Sequence, residues 1–491
     1  MKPGIMAIAS PAHALRALGN VFNDALYRGS LVLLTNTIAT SAIGFVFWTL
    51  AAHRYSAATV GTFSGVTSGV TLLATIAALG LPITMTRHIA RTGDPRGLVF
   101  VAVTMITTAG TMLCLVTILF LGPHIPSALH IKQHGGMAFL VTILVVFTAV
   151  GGTLDAGLVA TRSTRVLLIK NIIGSTFKLV AMLLLTTFRS SGLLVSYGLG
   201  LVLATALSSV ALVRRLKGRQ TGNRSFQASW HYLSITSGNY LATVIGILPL
   251  SIVPIEVLVV RGAAQTARFS IAFLIVGFLN FIPSTMGQVL FAEIARGGAP
   301  LGKQFRKALR GVYVLLLPCL ALLLITAPFI LRLFGSAYAA EATGCLRVLA
   351  LSALPAGGTY LVDSLLVARD RTAAYAFMQI ANAALVLGFV AVLLPRGLTA
   401  AAGGLAFAQL LTLILGLLVI ATGSPGRHHS KTGTLPTGKT LQHPQSGQPS
   451  SRVVYHFEPQ IRELLATWPM MPTTLIGECI GWDQPPQVLL N

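Results

Sequence analysis

Charge is what this sequence has least of. Asp, Glu, Lys and Arg make up only 10% of its 491 residues, and just 12 residues are acidic. Set against 54% hydrophobic residues, so little charge lies far outside the balance of a soluble chain and excludes a large water-soluble domain. Cysteine is scarce too. Cys114, Cys319, Cys345 and Cys479 are scattered, with no CxxC spacing to suggest a metal or redox centre. The only apolar run near Lys2 is Ile5 to Ala9, shorter than the roughly 7 to 15 residues of a signal-peptide core, so no cleaved leader is expected.

Long apolar runs are what the sequence does have. A membrane-crossing helix needs about 20 consecutive apolar residues, and such segments recur at 29-52, 58-82, 97-121, 136-160, 166-187, 191-213, 231-260, 266-290, 311-331, 342-367, 373-394 and 399-422. The expected fold class is all-α: a polytopic membrane protein of about twelve transmembrane helices. Residues 1-28 read as an interfacial helix, with Leu15, Leu18, Phe22 and Leu26 at helical spacing. The first six helices form a lobe over 29-213, a basic cytoplasmic linker covers 214-230, and the last six form a second lobe over 231-422. Gly423 to Ser451 is rich in Gly, Pro, Ser, Thr, Gln and His and reads as a disordered linker before the 452-491 tail.

A formal charge of +23 would suggest nucleic acid in a soluble protein; here it is first a matter of topology. Of the 35 Lys and Arg, 21 fall before the first helix or with the loops on that side, and eight fall with the opposite loops. Five more lie in the tail, and Lys178 lies within a helix. Because positive residues are retained on the cytoplasmic side, this split predicts an even helix number with both termini cytoplasmic in the plasma membrane. Binding of anionic lipid headgroups would use the same charges.

Two echoes point to an internal repeat. Ile89-Ala90-Arg91-Thr92-Gly93 after the second helix returns as Ile294-Ala295-Arg296-Gly297-Gly298 after the eighth. Asp155-Ala156-Gly157-Leu158-Val159-Ala160 returns as Asp363-Ser364-Leu365-Leu366-Val367-Ala368. The offsets are 205 and 208 residues. Six helices is an even number, so the two halves share one orientation and are expected to be parallel repeats around a central cavity.

Several motifs have both a chemical and an ordinary reading. Gly433 to Thr440 satisfies GxxxxGK[ST], but a phosphate loop works only between a strand and a helix N-terminus, and this polar tail supplies neither. No nucleotide or other cofactor is expected, nor any catalytic residue. His124, His130 and His134 lack an acid or cysteine to complete a metal site, and no metal is expected. Gly61, Gly65 and Gly69 give the second helix a smooth face for close packing. Pro249, Pro254 and Glu256 after Gly238-Asn239 predict a bent or broken seventh helix, where Glu256 either couples an ion or pairs with Arg261. Lys178 lies thirteen residues after Arg165, about 20 Å along its helix. An ionised lysine that deep is turned to a cavity, a partner or an interface.

Ordered motifs carry a family resemblance. They are Arg28-Gly29-Ser30, Val60-Gly61-Thr62-Phe63, Gly80-Leu81 with Arg87, Ile89-Ala90-Arg91-Thr92-Gly93-Asp94, and Phe291-Ala292-Glu293-Ile294-Ala295-Arg296. The resemblance they carry spans about residues 14 to 422. The layout resembles the multidrug/oligosaccharidyl-lipid/polysaccharide flippase superfamily, in particular its polysaccharide-export branch, which includes O-antigen and teichoic-acid flippases. The resemblance implies two lobes around a cavity lined mainly by the first, second, seventh and eighth helices and open alternately to each side. It implies cationic residues holding the diphosphate of a polyprenyl-linked glycan, a role that falls on Arg28, Arg54, Arg87, Arg268 and Lys178. Partners implied are that glycan lipid or a similar anionic amphiphile, membrane lipids, and a polysaccharide polymerase with glycosyltransferases.

Three rivals stay open. A drug or cation antiporter of the same superfamily needs a protonatable carboxylate, for which Glu256 is the candidate. A membrane glycosyltransferase wants acids in an external loop, and His53 to Ala57 has none. A non-transporting scaffold would be recruited through the tail, where Phe457 to Trp482 resembles the start of a transposase helix-turn-helix without its reading helix. No nucleic-acid partner is expected.

Overall fold

The computed structural model describes residues 25-90, 92, 94-121, 135-217, 237-296, 300-369 and 371-422. Most of the interfacial helix expected over 1-28, the His124 to His134 loop, most of the basic linker and everything after Thr422 therefore lie outside the described residues; residues 25-28 already belong to α1. No strand occurs among the described residues. The helices are α1 (Ala25–Arg54), α2 (Ala57–Ala77), α3 (Leu81–His88), α4 (Pro95–Leu121), α5 (Gly135–Ala160), α6 (Thr164–Leu184) and α7 (Arg189–Arg215), followed by α8 (Ser237–Arg261), α9 (Ala263–Arg296), α10 (Leu301–Arg332), α11 (Ser336–Leu351), α12 (Ala353–Ala368), α13 (Thr372–Leu393) and α14 (Leu398–Thr422). Among the described residues there are twelve membrane-length spans, with α11 and α12 together making one of them.

Three segments differ from the sequence expectation. The second helix stops at Ala77, because Leu79 and Gly80 both take positive φ (51° and 74°) and the chain restarts as α3 with a proline in its first turn. Consecutive left-handed residues end a helix, and proline is tolerated where no N–H is needed. The tenth span is interrupted at Ser352, three residues before Pro355, which cannot donate to the carbonyl of Leu351. The seventh helix, expected to be bent or broken, is not broken: it runs without interruption from Ser237 to Arg261 with Pro249 and Pro254 inside it. Each proline removes a single bond, and packed neighbours in a membrane bundle tolerate that loss.

Although it belongs to the first half of the chain, α2 packs along α8 and α9 of the second. Glycine makes that possible. A Cβ on Gly61 would collide with the Ala263 carbonyl oxygen, and one on Gly65 would lie 2.5 Å from the Leu258 side chain. Ser64 donates to Ser270 across the same seam at 2.6 Å. The seam joins the starting ends of α2 and α9, and the space between the halves lies toward the other end of α2. There Tyr240 of α8 spans the halves again: its hydroxyl meets the Thr75 carbonyl and the Ile76 carbonyl (2.8 Å), and accepts from Leu79 N–H (3.1 Å). One phenol thus adds hydrogen bonds to backbone groups whose own bonds are long (3.3 and 3.4 Å) where α2 breaks.

Candidate functional site: the central cavity

Between the halves lies a cavity of about 1800 Å³. Helices α1, α2, α8 and α9 all line it, as the resemblance implied, and α3, α5, α6 and α10 complete its wall. Most lining side chains are apolar. The polar ones include Asn36, Thr37 and Ser41 on α1, Thr75 on α2, Asn171 on α6, and Ser284, Thr285 and Gln288 on α9. Phe45 also lines it, and its ring meets Phe334 edge-on with centroids 5.2 Å apart.

Asp155 is the single acidic or basic side chain among the described residues that line the cavity. It does not stand alone. Lys170, one helix along on α6, is buried behind it with Nζ 2.6 Å from its carboxylate, and Ser208 on α7 donates to it at 3.0 Å. Beside the pair, Asn171 donates to Asn36 at 3.0 Å and ties α6 to α1. An ion pair removed from water holds together only when such further hydrogen bonds complete it, and removing one member leaves a buried charge.

The second half repeats this arrangement in part. Asp363 on α12 accepts from Gln379 on α13 at 3.0 Å, 16 residues later, where Asp155 meets Lys170 15 residues later. The cation of the first half is thus an amide in the second. Asp363 is 8% exposed, does not line the cavity, and its Oδ1 has no hydrogen-bond partner among the described residues. Both acids lie five residues from the ends of their helices, Asp155 on the cavity wall and Asp363 within the bundle.

The residues singled out from the sequence are dispersed, and the cavity's charge comes from elsewhere. Arg28 lies in the first turn of α1, with its side chain outside the described ones. Arg54 ends α1 and is exposed. Arg87, half-buried in the last turn of α3, sits four residues past Ile83, which lines the cavity. Arg268 pairs with Glu341 at 2.5 Å. Lys178 rests over the rings of Phe47 (4.8 Å) and Tyr197 (5.2 Å), so an aromatic recess, not the cavity, receives it. Glu256 is half-buried with Oε2 unpartnered among the described residues; Arg261, its alternative partner, instead donates to the Pro395 carbonyl at 3.3 Å. None of the five with described side chains, Arg54, Arg87, Lys178, Arg268 and Glu256, lines the cavity. Lys170, grouped by sequence with the adjacent loop, is the buried cation that does reach a cavity residue. Its signal was the echo of Asp155 in Asp363; the partner only becomes visible once α5 and α6 are packed.

No protein-family model matches the chain, and no curated protein does. Solved structures do. An inward-facing multidrug resistance MATE family transporter of the MOP superfamily superposes with a TM-score of 0.57 at 16% identity, covering 78% of this chain and 93% of that one. The lipid II flippase MurJ, inward closed, gives 0.60 at 11% identity over 79% and 88%. The MATE multidrug transporter DinF-BH gives 0.58 at 12% over 81% and 95%. The chain has the fold of these transporters. With that fold come the two six-helix halves around a central cavity that the repeat and the motifs implied. At such identities the likeness is one of architecture, so the substrate has to be argued from the cavity itself.

Proposed function

We infer that the chain is a flippase that carries a lipid-linked oligosaccharide or polysaccharide precursor across the cytoplasmic membrane by alternating access, with both termini in the cytoplasm. The observation carrying this reading is a seam sealed at Gly61, Ala263, Ser64 and Ser270 above an amphipathic cavity of about 1800 Å³. Such a cavity offers apolar wall to a polyprenyl chain and amide and hydroxyl groups to a glycan. A sugar diphosphate cannot cross roughly 30 Å of hydrocarbon without such a path. In this reading the diphosphate rests at the mouth, near Arg28 and Arg87, while the glycan meets Asn36, Asn171 and Gln288. Glycosyltransferases supply the substrate and a polymerase consumes it. The likeness to a lipid II flippase supports the lipid-linked class.

A drug or cation antiporter is the second reading. It is favoured by the two carboxylates embedded at Asp155 and Asp363, together with the likeness to multidrug transporters. Purified protein in proteoliposomes separates the two. The flippase reading expects a fluorescent polyprenyl-diphosphate sugar to become accessible from the opposite leaflet, with no counterflow of a cationic rhodamine dye against a proton or sodium gradient. Gradient-driven dye transport without movement of the lipid-linked sugar would overturn it.

A further inference from the structure

One strongly charged feature takes no share in the cavity. Lys303, Arg306, Lys307 and Arg310 surround a recess of about 280 Å³ on the first turns of α10. Their spacing of three, four and seven residues puts all four on one helix face. All four are exposed, and none makes an ion pair among the described residues. Phe305, Ala308 and Leu309 hold the other side of these turns against the core.

What continues from the cationic face identifies its ligand. At 100° per residue the same face runs on through Val314, Leu317 and Ile325, which are 70%, 51% and 70% exposed. The opposite face carries the buried Val312, Leu316, Leu320 and Leu323. The 32 residues of α10 extend for about 48 Å, against roughly 30 Å of hydrocarbon. Its first turns therefore reach the headgroup layer while the exposed apolar track lies among acyl chains. A soluble anion would use only the charges, and a polynucleotide would have no use for the track.

We propose that this face of α10 is a binding site for an anionic glycerophospholipid, with the phosphate in the recess formed by Lys303, Arg306, Lys307 and Arg310 and an acyl chain along Val314, Leu317 and Ile325. The site is separate from the transport cavity and does not depend on which substrate the cavity carries. It gives the transporter a preference for anionic lipid on that side of the bilayer.

The test uses purified full-length protein and follows thermal unfolding in nanodiscs of phosphatidylcholine with increasing phosphatidylglycerol. Phosphatidylglycerol should raise the midpoint of the wild type. In the fourfold variant K303Q/R306Q/K307Q/R310Q its apparent affinity should fall by about tenfold or more, whereas R214Q/R215Q/K217Q, at another basic helix end, should keep the wild-type response. If the fourfold variant does not fold, the single reversals Arg306→Glu and Arg310→Glu carry the same expectation. An equal response in wild type and α10 variants, or no response in the wild type, overturns the site. Glycerol 3-phosphate reproducing the shift overturns the lipid as its ligand.

Discussion

Ser64 donates a 2.6 Å hydrogen bond to Ser270, and the two residues stand 206 positions apart in the chain. That separation falls within the 205 to 208 offset of the sequence repeat, so each serine touches its own counterpart. Gly61 likewise faces Ala267, at the same offset. Only residues beside an axis relating two halves can meet their own mates, so the axis runs between α2 and α9. Tyr240 joins the halves again at the far end of α2. A rocking motion between the halves has to break either of these contacts while keeping the other.

The Asp155 and Lys170 pair makes a stability prediction. Lys170→Ala leaves the Asp155 carboxylate, partly exposed to the cavity, with only Ser208 and should cost about 1.5 to 3 kcal/mol. The double variant Asp155→Asn/Lys170→Met removes both charges and should recover much of that loss. Thermal unfolding and membrane abundance measure it, and equal destabilisation by the single and double variants would count against a buried ion pair.

Much of this architecture was legible in the sequence because its causes are local. Apolar runs give the spans, and the echo of Asp155 in Asp363 marks the repeat; the early stop of α2 at Leu79-Gly80 went unread because an apolar run continues through it. The cavity residues were not legible, because lining depends on which face of each helix turns inward. Arg268 read as a cavity cation until α9 met Glu341 on α11, and Lys178 until α6 met Phe47 and Tyr197. Lys170 went unnoticed because Asp155 and Ser208, on two other helices, give it its place.

Lys178 carries the next expectation. With its ammonium over two rings outside the cavity, Lys178→Met should lose only about 0.5 to 2 kcal/mol of stability and transport at near the wild-type rate per folded molecule. Abundance and transport measured in one preparation decide this. A well-folded Lys178→Met protein that has lost transport would return the residue to the substrate path.

Topology can be checked by labelling single cysteines in a cysteine-free background. Cysteines placed at Lys217 and Arg371 should react with a membrane-impermeant maleimide only after cells are broken, while those at Arg54 and Arg396 should react in intact cells. The reverse pattern would invert the orientation inferred from the positive residues.

The most direct test of alternating access is a cross-link through the seam. In a background lacking the native cysteines, Ser64→Cys and Ser270→Cys should form a disulfide on oxidation, since the hydroxyls they replace are 2.6 Å apart. Movement of a fluorescent polyprenyl-diphosphate sugar through proteoliposomes should stop when the bond forms and return when it is reduced. Undiminished transport by fully cross-linked protein would contradict a mechanism in which the halves separate at α2 and α9.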